Sequence, residues 1–296
     1  MGEDSARFLS GWPLNQESPK DMTASLVPLE QLRQRAQWVW RQTIEIHMRA
    51  PETRVASSLS AVETLVCLFY GGLLRHDPRQ PQWSGRDRLI ISKAHGAIAM
   101  YPILADRGYF PLAELERVAR NGSILGGIPD PIIPGFETVN GSLGHGPGVA
   151  CGMALALKRS GNAARVIVLV GDGELHEGST WEAIMFAGHH RLDNLLMIVD
   201  CNTRCMLNNT DKVNRLEPLA PKFTAFGWTA QDCDGHDLGT LYPCLAGMLR
   251  EPKTGPSVLV AHTVKGHGVP SLEASPICHV LSIQPDEYQR LPGGAS

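Results

Sequence analysis

The amino-acid sequence predicts an α/β fold in which a doubly wound, mainly parallel sheet carries helices on both faces. Three short apolar segments support this prediction: RVIVLV (165–170), NLLMIVD (194–200) and PSVLVAHT (256–263). Each segment is rich in β-branched residues and lacks polar alternation, which is typical of parallel strands buried on both faces. Helical patterns separate them, namely GVACGMALALKR, STWEAIMFAGHHR and LGTLYPCLAGMLR. Strands that alternate with helices in this way favour a doubly wound sheet.

The region before these strands is predicted to be helical. The spacing of apolar residues predicts one helix over 29–48 and a second, more buried helix over 58–74. The Pro- and Gly-rich stretch 126–135 is typical of a loop. Because no repeat and no interdomain linker is visible, we expect one domain over residues 23–284. A loosely ordered segment (1–22) would precede it, and a C-terminal tail (285–296) would follow.

Composition excludes several classes of partner. The 296 residues carry a formal net charge of −3, which gives no electrostatic basis for binding nucleic acid or an anionic membrane. No apolar stretch has the length of a signal peptide or a membrane span. The seven cysteines are an odd number without a regular framework, so reduced thiols and a cytoplasmic location are expected.

The segment VLVGDGELHEGSTWEA (168–183) holds the first candidate site. Its apolar strand stops at Gly171-Asp172-Gly173, and ligands of open parallel sheets collect beyond such strand ends. The glycines allow the backbone to approach an anion, and the carboxylate between them can hold a divalent cation. An ordinary Asp-Gly turn explains this tripeptide equally well when it is taken alone.

A helix is expected to begin directly after this tripeptide. Ser179 and Glu182 have the spacing of a capping box, which predicts that the helix starts there. The residues predicted to face inward are Trp181, Ile184, Met185 and Gly188.

The next strand ends at IVDCN, which places Asn202 at the matching position on the neighbouring strand. Asp172 and Asn202 would therefore lie side by side and offer two oxygen ligands to one hard cation. Mg²⁺ usually completes its octahedral coordination with a backbone carbonyl, water and phosphate oxygens. This arrangement suits a diphosphate that is held through a metal ion.

These residues carry a resemblance to a known family. GDG followed after about thirty residues by Asn resembles the thiamine diphosphate motif in the form used by transketolases. The resemblance covers essentially 29–279 and concerns the diphosphate-binding half of that family, so the chain resembles the N-terminal subunit of a split transketolase. It implies the thiamine diphosphate-binding fold, with a domain of the diphosphate-binding (PP) type. Further motifs that match are SKAHG, NGSLGHGPG, DGHD and TVKGHGV.

The resemblance implies a role for each matching residue. Asp172, Asn202 and the backbone carbonyl of Arg204 would bind Mg²⁺ (or Ca²⁺). His279 would reach the donor substrate, and His95 would lie near the reactive ring of the cofactor. The residues implied to bind thiamine diphosphate are His95, Gly141, Leu143, Gly171, Asp172, Gly173, Glu174 and Asn202.

The resemblance also implies a partner subunit. Glu177 and Glu182 would belong to a carboxylate network that crosses the subunit interface, with Glu177 among the catalytic residues. The glutamate that activates the cofactor lies on a pyrimidine-binding domain in this family, and this chain has no such domain. We therefore expect activity only with a C-terminal transketolase-like subunit that carries this domain, in an α2β2 heterotetramer.

Two residues depart from the family pattern. Arg54 stands where transketolases have a histidine that contacts substrate, and Ile128 replaces a histidine that binds the C1 hydroxyl of the donor. A surface ion pair for Arg54 and ordinary packing for Ile128 are the structural alternatives. Together, a guanidinium suited to a carboxylate and a pocket without a hydroxyl partner favour a donor closer to pyruvate than to a ketose phosphate.

The predicted function is therefore transfer of a two-carbon unit to a carbonyl acceptor, by a transketolase-like transferase. The unit would be a ketol group, or an acetyl group from a pyruvate-like donor. One alternative is the alpha subunit of a 2-oxo acid dehydrogenase, which also carries a diphosphate domain alone. Another is a non-catalytic cofactor-binding partner in which Arg54 and Ile128 mark lost activity.

Overall fold

The fold is built on one parallel sheet, and the computed structural model describes residues 26–206 and 208–292. In this part of the chain the sheet has five strands in the order β1-β2-β3-β5-β4, and every neighbouring pair is parallel. The strands are β1 (Arg88–Ile91), β2 (Val166–Gly171), β3 (Leu195–Cys201), β4 (Thr229–Asp234) and β5 (Ser257–His262). β5 lies between β3 and β4, so the direction in which the chain crosses the sheet reverses after β4. The predicted doubly wound α/β fold is confirmed.

Helices occupy most of the remaining described chain. The α-helices are α1 (Leu29–Arg49), α2 (Val55–Leu59), α3 (Val62–Phe69), α4 (Met100–Arg107), α5 (Gly146–Arg159), α6 (Gly178–His189), α7 (Thr210–Asn214), α8 (Ala220–Ala225), α9 (Leu238–Arg250), α10 (Pro270–Ala274) and α11 (Pro285–Arg290). Short 3₁₀-helices lie at Ala94–Ala99, Leu112–Arg117 and Asp172–His176. No helix among the described residues is long and apolar enough to cross a bilayer.

The sheet separates two apolar layers. In β2, Ile167 and Leu169 contact a core formed mainly with α1, α3, α4 and α9. The alternating residues Val166, Val168 and Val170 contact a second core formed with α5, α6 and α8. Because both faces of the strand are buried, its sequence shows a continuous apolar run rather than polar alternation.

Two of the five strands are not predicted from the sequence. β1 has only four residues, and β4 reads TAQDCD, most of which is exposed at the edge of the sheet. A strand of this composition has no apolar signal, because it packs against the sheet on one edge and faces solvent along much of its length. The three predicted strands, 165–170, 194–200 and 256–263, correspond to β2, β3 and β5 within two residues.

The predicted helix over 58–74 is wrong in its extent. The chain forms two helices, α2 and α3, separated by a turn at Ser60 and Ala61, and Ala61 leaves the helical conformation with φ −105° and ψ 1°. At this break the hydroxyl of Ser60 donates a hydrogen bond to Asp200 Oδ2 (2.7 Å). The second helix ends at Phe69, before Gly72 takes a left-handed φ of 67°. The first predicted helix, 29–48, agrees with α1.

The predicted capping box is also wrong. α6 begins at Gly178 without a side-chain cap, and the hydroxyl of Ser179 donates instead to the backbone carbonyl of Gly144 (3.0 Å). The predicted inward residue Met185 is 45% exposed. Small side chains face inward because α5 packs closely against this helix, as the contact from Cys151 Sγ to the carbonyl of Ala183 (3.3 Å) shows. The buried face of α6 is formed by Thr180, Ala183, Ile184 and Ala187.

The sequence pattern predicts a loosely ordered segment at the N-terminal end of the chain and a tail at the C-terminal end. The predicted loosely ordered segment 1–22 lies outside the described residues. Residues 285–290, which the sequence pattern places in a tail, form α11. The guanidinium of Arg41 donates to the hydroxyl of Tyr288 (2.7 Å), and Leu291 is buried in a small core with α1 and α2. The C-terminal helix therefore packs against the main body.

Candidate functional site

The register of the sheet brings the predicted metal ligands to one edge. Gly171, the last residue of β2, pairs with Asp200 of β3, so Asp172 and Asn202 follow adjacent strand ends. Both side chains are buried, with exposures of 6% and 5%. The placement of these two residues on neighbouring strands agrees with the expectation from sequence.

Only one oxygen of the Asp172 carboxylate has a hydrogen-bond partner among the described residues. Its Oδ1 accepts a hydrogen bond from the backbone N–H of Gly173 (2.9 Å), but Oδ2 is buried and has no partner among the described residues. Burial, and then the negative charge of Asp200, raise the pKa of Asp172 to about 7. The charge of Lys265 acts on Asp172 without forming an ion pair with it, so the carboxylate has no direct positive partner among the described residues, and a divalent cation would supply one. The residues present therefore fit a metal ion at this position.

Asp200 is the most completely satisfied carboxylate of the site. It is 1% exposed and accepts hydrogen bonds from the hydroxyls of Ser60 and Thr263. The ammonium of Lys93, itself 1% exposed, forms an ion pair with it. Burial alone would raise the pKa of Asp200, but the charge and hydrogen bond of Lys93 outweigh it and lower that pKa. The side-chain amide of Asn202 is a fourth donor, at 3.0 Å.

This hydrogen bond fixes which way the Asn202 amide faces. Because Nδ2 donates to Asp200, Oδ1 turns to the other side and accepts from the backbone N–H of Arg204 (3.2 Å). The carbonyl of Arg204, which the family resemblance assigns to the metal, accepts a hydrogen bond from Lys265 Nζ (3.1 Å). A carbonyl oxygen has two lone pairs, so this contact leaves one for a further partner.

Glu174 ties two segments of the site together. It is 1% exposed, and its Oε1 accepts hydrogen bonds from the Ser92 hydroxyl and from the backbone N–H of Gly144 (2.9 Å). Its Oε2 is buried without a partner in the described chain, and burial raises the pKa of this carboxyl group. Glu174 therefore anchors the loop that carries the exposed Gly141 and the half-buried Leu143.

Two histidines predicted from sequence lie together. The rings of His95 and His279 have centroids 4.9 Å apart, and Lys265 Nζ lies 3.1 Å from His279 Nδ1. Burial, followed by the charge of Lys93, lowers the pKa of His95 to about 2. Burial and then Lys265 lower the pKa of His279 to about 4. Both imidazoles are therefore neutral at neutral pH, and His279 Nδ1 accepts from the lysine.

The two residues that depart from the family pattern differ in position. Arg54 precedes α2 and lies near enough to His279 for its charge to lower the pKa of that histidine. It donates a long hydrogen bond to the carbonyl of Glu52 (3.4 Å) and forms no ion pair within the described chain. Ile128 is 48% exposed, on a loop that the Tyr101 hydroxyl holds through the carbonyl of Gly126 (2.7 Å). The ion-pair alternative for Arg54 is therefore not observed.

The remaining predicted residues, Glu177 and Glu182, are exposed. Three charged residues of the site were not predicted from sequence: Lys93, Lys265 and Asp200. Their positions in the sequence could have indicated that they belong to the site. Lys93 lies in the SKAHG motif, Lys265 lies in the TVKGHG motif, and Asp200 lies near the end of a buried strand. A charged residue in such a place is buried only if it is paired.

Comparison with known proteins identifies the family. Residues 50–292 match the family model described as transketolase, thiamine diphosphate binding domain. The chain belongs to the transketolase family. It is 38% identical over 259 residues to a putative uncharacterized transketolase family protein of Sinorhizobium fredii, a match covering 87% of this chain and 92% of that protein.

Two further relatives of similar size are named as transketolase subunits. The chain is 35% identical to a 6-deoxy-6-sulfo-D-fructose transketolase subunit of a Clostridium species, with coverage of 87% and 94%. It is 36% identical to an apulose-4-phosphate transketolase subunit of Actinobacillus succinogenes, with coverage of 88% and 94%. These matches confirm the resemblance to the diphosphate-binding subunit of a split transketolase.

Solved transketolases share the fold. A transketolase from Campylobacter jejuni superposes with a TM-score of 0.83 and 26% identity, over 89% of this chain and 42% of that one. The chain thus spans about two fifths of the length of this transketolase. The family match also favours the transketolase interpretation over the alpha subunit of a 2-oxo acid dehydrogenase.

Proposed function

We propose that this chain is the diphosphate-binding subunit of a two-component, thiamine diphosphate-dependent transferase of two-carbon units. The observation that carries the proposal is the buried, unpartnered Oδ2 of Asp172 at the carboxyl end of β2. Mg²⁺ or Ca²⁺, bound by Asp172, Asn202 and the carbonyl of Arg204, would supply the missing positive charge. Hard divalent cations prefer the carboxylate, amide and carbonyl oxygens that these residues offer.

The cofactor would lie beside this cation. Gly171 and Gly173 would lie beside the diphosphate, Glu174 positions the loop with Gly141 and Leu143, and His95 would contact the ring. When bound, thiamine diphosphate supplies a carbon nucleophile that stabilises negative charge as a carbon–carbon bond breaks. The buried ammonium of Lys265 adds positive charge to the same cleft.

We propose that the partner is a C-terminal transketolase-like subunit that carries the pyrimidine domain and its catalytic glutamate. The printed names of two relatives as transketolase subunits support a partner. Glu177 and Glu182 are exposed and therefore accessible to another chain. An α2β2 heterotetramer in the cytoplasm is the proposed assembly and location.

Two donor classes remain to be distinguished. A ketose donor is the first candidate, because two relatives are named for 6-deoxy-6-sulfo-D-fructose and apulose-4-phosphate. A pyruvate-like donor is the second, favoured by the guanidinium of Arg54 near His279 and by Ile128, which offers no hydrogen bond to a hydroxyl. Ile128 is half exposed in this chain, so it selects for a methyl group only once the partner subunit covers it; a donor hydroxyl left unpaired there would then cost about 1–3 kcal/mol.

Calorimetric titration with thiamine diphosphate and MgCl₂, with and without the partner subunit, tests the cofactor assignment. Saturable binding is expected, and Asp172→Ala should abolish it. Asp193→Ala is the matched control, because Asp193 is an exposed carboxylate that precedes the opposite, amino end of β3. Absence of cofactor binding by the assembled wild-type pair would refute the proposal.

Steady-state assays of the reconstituted pair distinguish the donors. A ketose donor predicts turnover of xylulose 5-phosphate without release of CO₂ from pyruvate, whereas a pyruvate-like donor predicts the reverse. For a pyruvate-like donor, Arg54→His together with Ile128→His should shift activity toward the ketose. Transfer of an acyl group to a lipoyl domain would instead support the dehydrogenase alternative.

A further inference from the structure

Two histidines without a role in the proposed function lie together outside the proposed metal position. His236 from DGHD follows β4, and His267 from TVKGHG follows β5. Their rings stack with centroids 3.6 Å apart and planes 18° from parallel. Glu63 of α3 completes the cluster, and one ligand atom from each of the three residues lies within 4.8 Å of the others.

The hydrogen bonds of His236 determine its tautomer. Its Nε2 accepts from the backbone N–H of Val264 (2.9 Å), and its Nδ1 lies 3.1 Å from Glu63 Oε2. A backbone amide only donates, so Nε2 carries no proton and Nδ1 donates to the carboxylate. A metal ion at Nδ1 would displace this proton and leave an imidazolate ring. Glu63, His236 and the backbone N–H of Val264 therefore form a chain of hydrogen bonds, and neither ring nitrogen of His236 is free to bind a metal ion.

Val264 lies between two residues of the proposed cofactor cleft. The hydroxyl of Thr263 donates to Asp200, and the ammonium of Lys265 reaches the carbonyl of Arg204 and the ring of His279. The side chain of Val264 is 43% exposed, so contacts of this side chain contribute little to holding the backbone of Val264 in place. The hydrogen bond to His236 is the polar contact that holds the backbone N–H of Val264.

Further hydrogen bonds hold the two residues that follow Lys265, Gly266 and His267. Gly266 donates its backbone N–H to the carbonyl of Ala56 (2.9 Å), and Trp40 Nε1 donates to the carbonyl of His267 (2.8 Å). Within 263–265, the backbone N–H of Thr263 donates to the carbonyl of Cys201 (3.1 Å), and the carbonyl of Val264 accepts from the N–H of His267 (3.2 Å). The backbone N–H of Val264 is therefore the group of this stretch that His236 holds.

We propose that His236 is a positioning residue and that Glu63 fixes its tautomer. By holding the backbone of Val264, His236 keeps the ammonium of Lys265 between Arg204 and His279. The part of this inference that concerns cofactor affinity rests on the proposed function, because it assigns Lys265 to the cofactor cleft. The part that concerns the backbone of 263–266 stands independently.

Two substitutions of His236 separate positioning from general stability. His236→Gln keeps an acceptor for the amide of Val264 and a donor for Glu63, whereas His236→Leu keeps neither. Hydrogen exchange of the amides of 263–266 is measured on the full chain, and affinity for thiamine diphosphate with MgCl₂ is measured on the assembled pair. Lys265→Met is the benchmark for complete loss of the ammonium.

We expect the three variants to differ in exchange at Val264 and in cofactor affinity. His236→Leu should accelerate exchange at Val264 and weaken cofactor affinity, each by about threefold to tenfold, which is the value of one hydrogen bond. His236→Gln should restore both to near the wild-type values. Lys265→Met should weaken affinity at least as much as His236→Leu and leave exchange at Val264 unchanged. If His236→Leu does not fold, Glu63→Leu removes the acceptor that holds Nδ1–H of His236 and should accelerate exchange at Val264 in the same direction but by a smaller factor.

Several results would overturn the inference. Unchanged exchange at Val264 in His236→Leu, or failure of His236→Gln to restore it, would show that His236 does not hold this backbone. Calorimetric binding of ZnCl₂ to the wild type that His267→Ala abolishes would establish a metal site instead. Failure of the wild-type pair to bind thiamine diphosphate would refute the proposed function, while the exchange measurement would still decide on the backbone role of His236.

Discussion

Replacing Asp172 by asparagine should make the chain without cofactor more stable while it removes metal binding. The reason is that the carboxylate is buried beside Asp200 with Oδ2 unpartnered among the described residues. Asp172→Asn removes the negative charge but keeps the acceptor for the backbone N–H of Gly173. Stability and metal affinity should therefore change in opposite directions.

The size of the effect follows from the pKa of Asp172. A rise from 3.8 to about 7 corresponds to about 4 kcal/mol of destabilisation by the ionised group. The cost is absent below the unfolded-state value of 3.8, grows as pH rises and is complete above about 7. The new amide leaves one buried N–H unpaired, which costs about 1–3 kcal/mol. The net gain of Asp172→Asn should be about 1–3 kcal/mol at pH 8 and should turn into a loss of about 1–3 kcal/mol at pH 4, where only the cost of the unpaired N–H remains.

Urea denaturation at both pH values, with and without MgCl₂ and thiamine diphosphate, measures this balance. Asp200→Asn is the control of opposite sign, because it leaves the buried ammonium of Lys93 without its partner and should cost about 3–5 kcal/mol. The reasoning would be refuted if Asp172→Asn were less stable than the wild type at pH 8. Retention of wild-type Mg²⁺ affinity by this variant would refute it equally.

Two further predictions concern a buried histidine and a close backbone approach. Burial lowers the pKa of His47 to about 4, so the unfolded chain binds the extra proton first, and stability should fall by about 1.4 kcal/mol per pH unit as pH decreases from 6.5 to about 4. His47→Asn should flatten this decline in acid denaturation curves, and an unchanged slope would contradict the assignment. A Cβ at Gly146 would overlap Ser92 Oγ, so Gly146→Ala should displace Ser92 from Glu174 and weaken cofactor binding at least about tenfold in calorimetry. Gly148→Ala meets no atom within 4 Å and should bind normally; equal affinities would argue against this contact.

The central strands and the adjacency of Asp172 and Asn202 were predictable because their signals are local. A strand buried on both faces is a continuous apolar run, and the residue after it lies at the sheet edge whatever the rest of the chain does. The break at Ser60 was not predictable in this way. At this turn Ser60 donates a hydrogen bond to Asp200, which is 140 positions away in the sequence and so gives no local signal.

The same physical reason explains the failures at α6 and at the lysines. Ser179 has the pattern of a cap, but the carbonyl of Gly144, brought near by α5, competes for its hydroxyl. Lysines are normally found at the surface, so the sequence alone gives no reason to place Lys93 and Lys265 in the interior. Only the folded chain brings Lys93 to the carboxylate of Asp200, and Lys265 to the carbonyl of Arg204 and the imidazole of His279. Local patterns predict elements, whereas the polar partners of a site are set by contacts between distant segments.

The electrostatic arrangement of the cleft favours an anionic ligand over a general acid–base pair. His95 and His279 are held neutral by burial and by Lys93 and Lys265, so neither gains or loses a proton between pH 6 and 8. Lys93 is already neutralised by Asp200, whereas the hydrogen bonds of Lys265 go to neutral groups, a carbonyl and an imidazole. An uncompensated buried ammonium is costly in isolation, and burial lowers the pKa of Lys265 accordingly. A diphosphate would remove this cost on binding, so part of the cofactor affinity should come from relief of the unpaired charge on Lys265.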